Sequence, residues 1–123
     1  MFYILCAAIL LNAFQFDSVS FVFSSGGGFA LSRTDIVVEL SHSILGMAKS
    51  SGAQCMSVAC PMCQINLDMR QSDINKVKGS NHQLPIIYIS QLIGLCLGIS
   101  AEKLGMKKCV ISPKAIVEQV KVN

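Results

Sequence analysis

The sequence predicts an α/β fold: one domain with a small parallel β-sheet of about three to four strands, flanked by helices, and with its functional groups at the carboxyl edge of the strands. Three observations lead there. Short β-rich runs alternate with stretches of helical period along the whole chain. The length of 123 residues suits a single domain. A hydrophobic fraction of 52% against 14% charged residues is enough to fill a core and excludes a disordered chain.

The elements follow in order. Met1–Phe14 is apolar apart from Asn12 and falls short of the roughly 20 residues a membrane-spanning helix needs. It has neither the positive residue before the apolar run nor the small-residue cleavage site of a signal peptide. Residues 1–16 are therefore expected to form an N-terminal apolar helix, over about 7–16, leading into a strand; a truncated secretory or anchoring leader is the alternative. Val19–Phe23 is β-rich and ends at SSGGG. The next helix starts in a capping-box-like pair, Ser32 and Asp35, and repeats Ile36, Leu40, Ile44 and Ala48, with Val37 and Leu45 alongside, before Gly52 ends it. QCMSVA (54–59) reads as a strand and CPMC (60–63) as a helix start with proline in its first turn. That helix is expected to carry Met62, Ile65 and Met69 on one side and to fade near Gln71, with 72–83 a polar surface loop. Pro85 introduces a strand over Ile86–Ile89, Ser90 caps a short apolar helix ending at Gly98, residues 100–104 make one more turn, and Ser112-Pro113 opens a terminal helix reaching about Val120. There is no internal repeat and no linker, so residues 1–123 form one domain.

Charge and cysteine usage narrow the function. The net charge of +3 comes from lysines spread along the second half, and tryptophan is absent, so nothing resembles a nucleic-acid footprint. Lys107, Lys108 and Lys114 are expected to be solvated. Six cysteines lie at 6, 55, 60, 63, 96 and 109 without the spacing of a small secreted scaffold. Cys6, Cys55, Cys96 and Cys109 sit among apolar neighbours as inert thiols do; Cys60 and Cys63 alone form a motif. The expected compartment is the reducing cytoplasm.

The chemistry is expected at two strand-to-helix loops, Ser24–Gly28 and Cys60–Cys63. The helix between them makes their strands parallel and brings both loops to one sheet edge, with Ser90 and Gln91 as a third wall. A thiol at a helix N-terminus meets unpaired amides and the positive end of the dipole, which favour the thiolate, the nucleophile of disulfide exchange and the ligand of soft metals. The glycine run Gly26–Gly28 fits neither dinucleotide nor P-loop patterns and reads as a tight turn. His42 and His82 are read as a helix-face and a loop residue, not as ligands.

The segment ACPMCQINLDMRQ (59–71) resembles the C-terminal cysteine-rich, or CCG, domain of the B-type subunit of heterodisulfide reductase, as do LPIIYISQLIGLCLGI (84–99), LGMKKCVISPK (104–114) and the stretch from GGGFALSRTD to CPMC. The resemblance implies a subunit that holds a noncubane 4Fe–4S cluster, reduces the mixed disulfide of coenzyme M and coenzyme B in methanogens, and works with flavin-bearing and ferredoxin-like sister subunits on a small disulfide substrate. It points to Cys60 and Cys63 as catalytic and metal-binding residues, with the loop at Ser24, Ser25 and Gly26 completing the cofactor site. Here the sequence departs from the family: Ser24 and Ser25 stand where the paired cysteines belong, and a hydroxyl is a poor ligand for iron–sulfur chemistry. The expectation is a heterodisulfide reductase-type oxidoreductase subunit or fragment, impaired by an incomplete iron–sulfur site. Zinc would need a further donor such as Cys55 or a histidine. The alternatives are a cluster-free CxxC dithiol oxidoreductase and a non-catalytic assembly module.

Overall fold

A computed structural model describes residues 33–121. Within that range the chain forms five α-helices and two strands in an α/β arrangement. Helix α1 (Thr34–Ser50) leads to strand β1 (Met56–Val58). Helix α2 (Pro61–Gln64) passes through a π-helical turn (Ile65–Met69) into α3 (Gln71–Lys78). Strand β2 (Ile86–Tyr88) runs directly into α4 (Ile89–Cys96); a 3₁₀ turn (Met106–Lys108) and α5 (Lys114–Lys121) finish the order. The strands pair in parallel, Met56 with Ile86, Ser57 with Ile87 and Val58 with Tyr88. Two strands among the described residues are fewer than the three to four expected; the run 19–23 and the apolar segment 1–16 lie outside the described residues.

Alternation along the strands separates two layers. Met56, Val58 and Ile86 pack with Ile44, Leu45 and Ala48 of α1, Leu67 of the π-turn and Ile74 of α3. On the opposite face Cys55 and Ile87 pack with Leu92 and Leu95 of α4, Met106, and Ile116 of α5. The sheet is thus covered on both sides, as its apolar strands require.

Several expectations need correction. The buried face of α1 is Val37, Ser41, Ile44, Leu45 and Ala48, one position round from the one expected, and Leu40 is 39% exposed. Arg33 stands at the N-cap and its guanidinium donates to both Asp35 carboxylate oxygens, at 3.1 and 2.9 Å; the expected pair of Ser32 with Asp35 involves a residue outside the described ones. Residues 71–78 form α3 rather than a loop. That helix turns only Gln71 and Ile74 fully inward, too sparse an apolar pattern to announce itself, and it ends at Gly79, whose φ of +62° suits a residue without Cβ. The N-cap of α4 is Tyr88, not Ser90, and its amide donates to the side chain of Gln91, three residues on, at 2.8 Å.

The stretch 79–85 is clamped by α3. Asn75 donates to the carbonyl of His82 at 2.9 Å and accepts its amide at 2.7 Å. Gln71 donates to the carbonyl of Leu84 and accepts its amide. His82 Nε2 then lies 3.0 Å from His42 Nδ1 on α1, one ring donating and the other accepting. Sequence spacing carries no sign of this pairing, because 40 residues separate the two histidines. Burial, reinforced by His42 and Lys49, holds the His82 imidazole below its ordinary 6.5. The folded state therefore resists a proton that the unfolded chain accepts. The stabilisation is complete above the ordinary value and is lost as the pH falls below it. Urea midpoints are expected to drop between about pH 7 and about pH 5, and to drop less in His82→Gln; equal slopes in the two proteins would refute the assignment.

Candidate dithiol site

The site begins where β1 stops. Cys60 occupies the N-cap of α2 in extended conformation (φ −95°, ψ 128°), and Pro61 follows in the first turn, where a missing amide costs nothing. Cys60 is exposed, whereas Cys63, one turn on, is half-buried against the layer that holds Met56 and Leu67. The Cys60 thiol is held below its ordinary value of 9.0, chiefly by the backbone amide of Cys63, then by that of Met62, with the Cys63 thiol adding a further hydrogen bond. Two amides at a helix start and a neighbouring S–H favour a thiolate at the more accessible of the two sulfurs.

The other described cysteines have the opposite surroundings. Cys55 is buried and burial pushes its thiol up to about 11. Cys109 is raised by burial and by the nearby Asp68 carboxylate. Cys96 is half-buried at the end of α4. Cys6 lies outside the described residues.

Met62, Ile65 and Met69, which spacing places on one side of this helix, are exposed at 38%, 39% and 58%, while Asn66, Leu67 and Asp68 are buried. The inward side is the opposite one, where Leu67, Gln71 and Ile74 share a face at helical spacing. Asp68 accepts hydrogen bonds from the amides of Val110 (2.8 Å) and Ile111 (3.2 Å) and from Gln64 Nε2 (3.3 Å). A period-based reading cannot find this residue, since a carboxylate is assigned to the solvent face by default.

Tyr88 joins the site by register. It pairs with Val58, the last residue of β1, and packs against the same layer as Cys63. Gln91, expected as a wall, has both ends of its amide committed to the Tyr88 amide and the Leu104 carbonyl. Ser24, Ser25 and Gly26 lie outside the described residues. Among the described residues no three His, Cys, Asp or Glu side chains come close enough to hold a metal ion. Cys55, one donor considered for zinc, belongs to the far layer, and the two histidines face each other. Two thiols do not amount to the ligand set of a 4Fe–4S cluster. Nor is any helix among the described residues long and apolar enough to cross a membrane.

A parallel βα unit with an exposed, acidified thiol at its helix start defines a class of α/β proteins with a CxxC dithiol at the sheet's carboxyl edge. No protein-family model matches the chain. Curated relatives do. The chain is 31% identical over 87 residues to the B-type subunit of the ferredoxin/F(420)H(2)-dependent CoB-CoM heterodisulfide reductase of Methanosarcina acetivorans, covering 71% of this chain and 29% of the relative. It is 32% identical over 84 residues to the corresponding B-type subunit of the ferredoxin:CoB-CoM heterodisulfide reductase of Methanosarcina mazei, covering 68% and 28%. It is 39% identical over 74 residues to the 8-methylmenaquinol:fumarate reductase membrane anchor subunit of Wolinella succinogenes, covering 60% and 26%. By these matches the chain is related to heterodisulfide reductase B-type subunits, and its matched stretch spans less than a third of the length of each of these relatives.

Proposed function

We propose that this chain is the dithiol-bearing part of a heterodisulfide reductase-type oxidoreductase subunit, with Cys60 as the attacking thiol and Cys63 as the resolving one. The observation that carries the reading is the contrast between Cys60, exposed and acidified, and the buried, thiol-favouring surroundings of Cys55. In the reaction, the Cys60 thiolate attacks one sulfur of a small disulfide R–S–S–R′ and expels R′–S⁻, which takes a proton from water. The Cys63 thiolate then attacks the Cys60–S–R bond and expels R–S⁻. Two electrons have passed to substrate, and the Cys60–Cys63 disulfide is reduced again by electron-carrying sister subunits, flavin-bearing and ferredoxin-like as the family resemblance implies. The compartment is the cytoplasm.

By the family resemblance, Ser24, Ser25 and Gly26 would complete the cofactor site. The iron–sulfur site is incomplete in this reading, because serines occupy the loop.

Anaerobic treatment with iron and sulfide tests the proposal. A colourless protein whose dithiol still titrates with two electrons is the expected result. A brown protein holding about four irons per chain would replace dithiol exchange by cluster chemistry. A protein inert on both counts that still copurifies with a ferredoxin-like partner after Cys60→Ala and Cys63→Ala would be an assembly module, a reading that the exposed Met62, Ile65 and Met69 favour.

A further inference from the structure

We propose that Asp68 is a positioning residue: by gripping the amides of Val110 and Ile111, its buried carboxylate holds the π-turn and thereby sets the direction in which the CPMC turn presents Cys60. The inference rests on the reading of Cys60 as the reacting thiol and adds a residue and a segment that the dithiol alone does not involve.

Over residues 61–78 a helix carries Met62, Ile65 and Met69 on one side and Leu67, Gln71 and Ile74 on the other, and the second side is the one that turns inward. Asp68 is 2% exposed and Asn66 0%, while Met69 is left at 58%. Burying a carboxylate is unfavourable unless it is fully bonded. Asp68 is: three N–H donors reach it, two of them main-chain amides 42 and 43 residues further along. Hydrogen bonds donated by main-chain amides to a charged carboxylate are among the strong ones. Asp68 lies within the π-turn, so these bonds hold that turn to the segment at 110–111. Each residue inserted in a helix rotates the segment before it by about 100° relative to the segment after it. Relaxation to a regular helix would therefore swing the CPMC turn away from its present direction.

The linkage to Cys60 is short. Gln64 donates its main-chain amide to the carbonyl of Cys60 at 3.1 Å and its side-chain amide to Asp68. One residue thus ties the start of α2 to the carboxylate. On the far side, Val110 and Ile111 directly follow Cys109, which packs against the second layer. Asp68 therefore ties the π-turn to the segment that follows Cys109.

The test separates position from charge. Removing a negative charge near a thiol by itself favours the thiolate and speeds alkylation, whereas losing the clamp slows it at Cys60. Two variants are used: Asp68→Asn, and Val110→Pro, which deletes one donor and leaves the carboxylate. Val110 is exposed, and Cys109 already has the extended conformation (φ −65°, ψ 136°) that a following proline requires. The probe is iodoacetamide on the reduced, metal-free full chain, read thiol by thiol by mass spectrometry and checked by thiolate ultraviolet absorbance. Both variants are expected to slow Cys60 by about threefold or more, and Asp68→Asn alone to speed Cys109. If Asp68→Asn does not fold, Val110→Pro carries the test. A Cys60 that keeps its rate or reacts faster in either folded variant overturns the inference. A wild-type Cys60 no faster than a free cysteine overturns the reading beneath it, a separate result.

Discussion

A Cys63→Ala variant is expected to accumulate a stable mixed disulfide at Cys60 when treated with a small disulfide such as oxidised glutathione. Wild-type protein should pass through that adduct to an internal Cys60–Cys63 bond, and Cys60→Ala should form neither, with capture slower by at least about tenfold. The asymmetry follows from exposure and hydrogen bonding. Cys60 is open to solvent and the amides of Cys63 and Met62 hold its thiol below the ordinary value, so it is the thiolate a substrate meets first. Cys63 is half-buried one turn along. Deleting it removes the resolving step but not the attack. Intact-mass measurement after acid quenching distinguishes the three states. Equal adduct formation at both positions, or adducts at Cys55 or Cys109, would end the assignment of roles.

Gln71→Ala is expected to lower stability by about 3 kcal/mol or more, a large share of what a domain of this size possesses. Gln71 is 1% exposed and spends its whole amide on the main chain. Nε2 donates to the Leu67 carbonyl at 2.8 Å and to the Leu84 carbonyl at 2.7 Å, and Oε1 accepts the Leu84 amide at 3.0 Å. Truncation leaves buried backbone groups without partners, each costing about 1–3 kcal/mol. Gln71→Met, close in size but without the amide, should lose a comparable amount in urea or thermal melts. Recovery of most of the stability in that variant would mean that packing, not hydrogen bonding, is what the site supplies.

How far these residues are legible in the sequence differs sharply between elements. The two strands, the proline-led helix at CPMC, the stop at Gly98 and the terminal helix after Pro113 are each marked by local chemistry: β-rich composition, a proline at a helix start, a glycine at φ +81°. The environments of Cys60 and Cys55 are legible for the same reason, a thiol at a helix start against a thiol in an apolar strand. Helix α3 is not, because its inward positions are a glutamine and a single isoleucine. The pairing of His42 with His82 and the grip of Asp68 on residues 110–111 are out of reach, since both depend on segments about 40 residues apart.

By itself the sequence determined the class of fold and marked Cys60 and Cys63 as a cysteine motif at a helix start, while the family came from resemblance. The fold class rests on composition and short-range periodicity, and the motif on a cysteine's position within one turn, all of which act over a few residues. The tertiary structure alone decided which side of the CPMC helix faces inward, Leu67, Gln71 and Ile74 rather than Met62, Ile65 and Met69. The Asp68 carboxylate is buried there because distant amides satisfy it. Hydrogen bonds across the chain outweigh local hydrophobic pattern when they rescue a charge from an apolar interior, and no local pattern announces where such partners will come from.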